Sequence, residues 1–155
     1  MICLVYTLFF ACFSSNDVIV SIDGEVAEFV LDSLEPKDEY PEYTHIRLVG
    51  PGTIDHLAPI FPNAEELVFH YTTDITEIPA DLPELKQLKR LTILGTNSRR
   101  LPASFEELSV DRLEVAFHPL LEEIPDLPLV QEQLRIHHNP SLSSLPEQLG
   151  SQTIK

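Results

Sequence analysis

The side chains with the most chemistry to offer gather at recurring places in the chain: His70 with Tyr71, then Phe117, then His137 with His138. Imidazole titrates near pH 6, so these histidines are candidates for a pH-sensitive contact, and they are also candidate metal ligands. Chelation is disfavoured by the pattern. His137 and His138 are neighbours, and neighbours on a strand point to opposite sides. His70 lies three repeats earlier, about 15 Å away at a strand spacing of roughly 4.8 Å. We therefore expect no metal site and no cofactor. A catalytic constellation is not expected either, because there is no Gly-x-Ser-x-Gly elbow, no His-Glu-x-x-His, and no phosphate-cradling loop among five glycines. The carboxylate pairs Glu65/Glu66, Glu106/Glu107 and Glu122/Glu123 recur at about the repeat period and read as solvated faces of return segments.

The elements that must position these residues are set by a repeat. Apolar pairs one residue apart stand at Ile46/Leu48, Leu67/Phe69, Leu91/Ile93, Leu113/Val115 and Leu134/Ile136, their leading members 21, 24, 22 and 21 residues apart. A second ladder runs with them: Ile78-Pro79, Leu101-Pro102, Ile124-Pro125 and Leu145-Pro146, with Ala58-Pro59 as a degenerate first member. Self-similarity at this period marks a stacked array. Each pair fits a short strand whose alternate side chains face a core, and stacking builds a parallel sheet. Proline fixes φ and removes a donor, so each return begins as a turn or extended stretch and continues through leucines such as Leu82, Leu85 and Leu88.

Strand alternation then sorts the remaining positions. One outward column reads Arg47, Val68, Thr92, Glu114, Arg135, and the next reads Val49, His70, Leu94, Ala116, His137. Just past the strands lie Gly50, Tyr71, Gly95, Phe117 and His138. From these we take Arg47, His70, Tyr71, Leu94, Glu114, Phe117, Arg135, His137 and His138 as the candidate partner-binding set, a composition rich in the residue types found at binding hot spots.

The chain has 155 residues with 25 acidic against 10 basic side chains, a formal charge of -15. Such a field repels phosphate backbones and anionic headgroups, so nucleic acid and polybasic membrane contact are excluded as partners. Residues 16–45 hold nine carboxylates and Lys37 as their one base, while Lys86, Lys89, Arg90, Arg99 and Arg100 make half of all the bases. That basic group reads as compensation of the surrounding acid.

Residues 1–13, MICLVYTLFFACF, form an apolar run too short to span a bilayer. With a polar stretch following, they read as a signal peptide, although its basic leader is missing. Phe9-Phe10-Ala11-Cys12 also looks like a loose lipobox, which would place a lipid anchor on Cys12; a buried first strand with two inert thiols is the remaining reading. The expected organisation is a signal over 1–15, an N-terminal capping segment over 16–44 and the repeat domain over 45–155. Within the cap, Asp17 to Ile22 reads as a strand. Val26, Phe29, Val30 and Leu34 have helical spacing, although the Asp23-Gly24 turn signal also permits a hairpin. The spacing tips the reading towards a short helix. The chain stops at Lys155 without an evident C-terminal cap, which favours truncation or an atypical last turn.

These residues resemble the leucine-rich repeat family, with its pattern L-x-x-L-x-L-x-x-N-x-L. Gln133-Leu134-Arg135-Ile136-His137-His138-Asn139-Pro140-Ser141-Leu142 fits best, and the asparagine position holds Pro51, Thr72, Thr96 and His118 in the other units. The resemblance implies an α/β-type repeat solenoid with a curved parallel sheet on its concave side and irregular or short helical returns. It further implies a non-catalytic module that binds a protein partner on the concave face, a glycan being the less favoured ligand. Its short Leu-Pro repeats are similar to those of bacterial secreted and surface proteins, implying a secreted or cell-surface location against a cytoplasmic alternative. Two other readings stay open: the recognition part of a larger secreted effector enzyme, and a structural surface lipoprotein.

Overall fold

The computed structural model describes residues 18–20, 26–34, 39–127 and 130–146. Cys12, the apolar run of residues 1–13 and the chain after Pro146 lie outside them. Among the described residues no helix is long and apolar enough to cross a membrane.

The chain builds a β-solenoid of about five turns. Among the described residues seven strands form one sheet in sequence order: β1 (Val18–Val20), β2 (Ala27–Val30), β3 (His45–Val49), β4 (Glu66–His70), β5 (Arg90–Leu94), β6 (Val110–Ala116) and β7 (Val130–His137). All neighbours from β2 onward are parallel, and the repeat sets the register: Ile46 pairs with Leu67, Leu67 with Leu91, Leu91 with Leu113, and Leu113 with Leu134. The apolar pairs of β3 to β6 are buried, whereas Leu134 and Ile136 on the last strand are only partly covered. The opposite wall of the core comes from the returns, through Leu57, Phe61, Ile75, Ile78, Leu82, Leu85, Leu88, Leu101, Phe105, Leu121 and Ile124.

The returns contain almost no helix. Among the described residues there are three short 3₁₀ stretches, Leu31–Ser33, Leu82–Glu84 and Ala103–Glu107, and no α-helix. The helical element of the α/β expectation is thus reduced to single turns. Leu82 opens the 3₁₀ turn and Leu85 and Leu88 follow at intervals of three, with Leu85 N–H bonded to Leu82 O and Leu88 N–H to Leu85 O, so all three face the core without an α-helix.

The helix expected from Val26, Phe29, Val30 and Leu34 is replaced by a hairpin. β2 pairs antiparallel with β1 and parallel with β3, setting Ala27 beside Ile46 and Phe29 beside Leu48. Covering the edge of β3 outweighs the local spacing, because it satisfies a row of backbone groups as well as burying two side chains. Phe29 then packs against Tyr40, Tyr43 and Phe61 with ring centroids 4.8 to 5.5 Å apart, closing this end of the core.

Glu66 does not lie on a return segment but opens β4, and Glu65 is the last residue of the return before it. They stand at the entry to β4, where Lys89 Nζ donates to Glu65 Oε2 at 2.7 Å and Arg90 pairs with Glu66. The Lys89 hydrogen bond and charge hold the Glu65 carboxyl below its ordinary range. Arg99 to Glu122 and Arg112 to Glu132 repeat this turn-to-turn pairing. Exposed pairs of this kind add little net stability, so their main effect is to neutralise the bases locally.

Candidate functional site: the aromatic strip at the strand ends

In each turn the residue after the strand must bend the chain away from the sheet, and it does so with a left-handed backbone. Gly50 has φ 77°, Tyr71 53°, Gly95 64°, Phe117 61° and His138 55°. These are equivalent positions. Tyr71 N–H donates to Leu94 O at 2.8 Å, Gly95 N–H to Ala116 O at 3.0 Å and Phe117 N–H to His137 O at 3.4 Å, extending the ladder by one bond before the bend. Two units use glycine here, which accepts positive φ freely. Three carry full side chains at a conformation that costs an L-residue roughly 1 to 2 kcal/mol.

Those three side chains meet. Phe117 stacks on His138 with centroids 4.7 Å apart and planes 18° off parallel, and His137 meets the Phe117 edge at 5.6 Å. Tyr71 reaches Phe117 at 6.3 Å, and His70 stands against Tyr71 at 5.0 Å. The Tyr71 ring crosses the bare backbone of Gly95, where an added Cβ would fall 2.4 Å from Tyr71 Cδ1. Tyr71 remains 51% and Phe117 41% exposed. A ladder of rings therefore runs along the sheet edge, open to solvent.

The bend also corrects the geometry expected of the histidine pair. With His138 in the left-handed region the two rings lie together instead of on opposite sides, Nδ1 to Nδ1 at 2.7 Å. His137 Nε2 lies 3.0 Å from Glu114 Oε1. An ionised carboxylate accepts only, so Nε2 carries the proton there; His137 Nδ1 is then an acceptor and His138 Nδ1–H its donor.

Other members of the expected set are distributed differently. Leu94 is half-buried between His70 and Ala116 in register, and Glu114 joins the strip through His137. Arg135 is exposed beside Glu114 in register. Arg47 stands apart on β3, paired with Glu28 at 3.7 Å. The sheet face thus grades from charge at the strand starts, where Glu66, Arg90 and Arg112 stand, to aromatic rings at the strand ends. A shallow depression on this face holds about 220 Å³ and is lined by Glu66, Arg90, Arg112, Glu114 and Arg135 among others, too small and polar to enclose a drug-sized molecule.

His118 is a structural residue that strand alternation does not single out. It follows the bend, is fully buried, and its Nε2–H donates to Ile93 O at 3.0 Å while its Nδ1 accepts from the Thr96 hydroxyl at 2.9 Å. One turn later Asn139 does the equivalent work, donating Nδ2 to Val115 O at 3.1 Å and accepting from His118 N–H at 3.0 Å. Burial pushes the His118 imidazole below its ordinary pKa, opposed by its backbone hydrogen bonds. The signal for the strip itself was present in the sequence: glycine at two of five equivalent positions marks a bend needing positive φ.

Among the described residues no group of three or more His, Cys, Asp or Glu side chains is gathered to hold a metal. Comparison with protein-family models, with curated proteins and with solved structures finds no match.

Proposed function

We propose that the chain is a leucine-rich-repeat-type interaction module, without catalysis of its own, that holds a protein partner against the outward face of its sheet. The observation that carries this reading is the strip of Tyr71, Phe117 and His138. Three exposed rings are kept at backbone positions where glycine would be less strained, and they are set side by side. Strain retained at a solvent-facing cluster points to use, because it is not needed for the core. The graded face offers large apolar anchors at one edge and charged rim residues at the other, the pattern of a hot spot with a polar surround. The net charge of -15 favours a basic partner. The apolar residues 1–13 support a secreted or cell-surface setting.

The test is affinity capture of a partner by the full chain, followed by titration against the Tyr71→Gly/Phe117→Gly variant. Loss of two anchors at about 2 kcal/mol each predicts at least a 100-fold weaker Kd. Unchanged affinity would move the binding surface to the loops or the opposite face.

A further inference from the structure

We infer that His137 and His138 form a two-nitrogen chelate for a borderline transition-metal dication such as Cu²⁺, Ni²⁺ or Zn²⁺. Three features on one edge of β7 support it. The two Nδ1 atoms already converge to 2.7 Å. Ligands in adjacent positions around such an ion, each bound at about 2.0 to 2.1 Å, stand about 3 Å apart, so the separation is already nearly right, and the change needed is a turn of each ring by roughly 45° that aims both lone pairs at a common ion in place of one another. The Glu114 carboxylate accepts the other ring proton of His137, an arrangement that fixes the tautomer and raises the basicity of a ligating imidazole. Finally, Phe117 stacks on His138 and meets His137 edge-on, so the two rings are kept side by side on one surface before any ion arrives.

The proton inventory is simple. In the neutral pair the shared proton sits on His138 Nδ1. Chelation by the neutral pair moves it through water to His138 Nε2, freeing both Nδ1 lone pairs without net proton release. The remaining coordination positions are open to water. Imidazole nitrogens select the later first-row metals, with Cu²⁺ bound most tightly, and leave Mg²⁺ and Ca²⁺, which require oxygen ligands. The acidic field of the chain adds attraction for any cation.

The experiment titrates CuCl₂, with glycine as a weak competitor, into the full chain carrying Cys3→Ser and Cys12→Ser, so that thiolates do not capture the metal. Electron paramagnetic resonance should show a site with two equatorial nitrogens. Against that parent, His138→Gly, which suits the positive φ, should reduce affinity at least 10-fold and leave one nitrogen at most. Glu114→Gln should weaken binding about 10- to 100-fold while keeping the two-nitrogen signature. His70→Ala should change nothing. Unchanged binding in folded His138→Gly, absence of saturable binding in the parent, or collapse to a one-nitrogen site in Glu114→Gln would each overturn the assignment.

Discussion

The left-handed positions make a sign-inverting prediction about stability. In a strand, replacing alanine by glycine costs about 0.5 to 1 kcal/mol, because glycine surrenders more backbone freedom on folding. At φ 53° to 61° an L-residue pays roughly 1 to 2 kcal/mol that glycine does not. The second effect is larger, so at residues 71, 117 and 138 the glycine variant should be more stable than the alanine variant by up to about 1 kcal/mol each. Comparing alanine with glycine cancels the lost ring contacts, since neither side chain makes them. The triple glycine chain should exceed the triple alanine chain by about 2 kcal/mol, a sizeable share of the 5 to 15 kcal/mol that holds a typical domain together. Urea denaturation with a common m-value measures the difference directly. Val68 supplies the control, lying inside β4, where alanine should win by the ordinary margin. Alanine equal to or better than glycine at both 71 and 117 would refute the argument, showing that the bend relaxes without strain and that the rings need no functional reason to be there. The companion change Gly95→Ala should be costly for two reasons, backbone and collision with the Tyr71 ring, and the second part should vanish when Tyr71→Gly is added.

Three further outcomes follow from the buried polar row behind the strip. His118→Ala leaves Ile93 O and the Thr96 hydroxyl without their partner and opens a cavity, so it should cost about 3 kcal/mol or more, while His118→Asn should recover much of that by copying Asn139. The lowered His118 pKa fixes the pH dependence: the unfolded imidazole takes its proton first, near pH 6.5, so stability should fall as pH drops from about 6.5 towards the folded value, and His118→Asn should flatten that slope in denaturant midpoints measured across pH. Thr72 Oγ1 is buried without a hydrogen-bond partner, so Thr72→Val should raise the thermal midpoint, about 1 kcal/mol being the cost of burying an unpaired hydroxyl.

The sequence was most legible where one physical rule acted alone. Alternation along Leu67-Val68-Phe69 and its counterparts gave the inward pairs and the register from β3 to β7, because a slip of one residue would expose every apolar side chain. It was least legible where two rules competed. The spacing of Val26, Phe29 and Val30 suits a helix, but the open edge of β3 claims them as a strand. His137 and His138 obey alternation only until the bend, where positive φ at His138 turns one ring back beside the other. Thr96 and His118 do not match the asparagine of the repeat pattern by letter, yet His118 reproduces its donor, Nε2 to Ile93 O, in the same relation as Asn139 Nδ2 to Val115 O. A pattern of letters does not display a shared donor geometry.

The spacing of the rings explains why the glycine at 95 matters as much as the side chains around it. Phe117 and His138 leave equivalent positions of adjacent strands, so their 4.7 Å separation is the strand spacing itself, and stacking follows without adjustment. Tyr71 and Phe117 are two strands apart, about 9.6 Å at that spacing, yet their rings stand 6.3 Å apart. The difference is made up by Tyr71 leaning across residue 95, which is possible because glycine leaves the space empty. A side chain there would both strain the bend and hold Tyr71 away from Phe117. Gly95 therefore joins two separate aromatic residues into one continuous surface, so the absence of a side chain at 95 shapes the strip as much as the rings on either side.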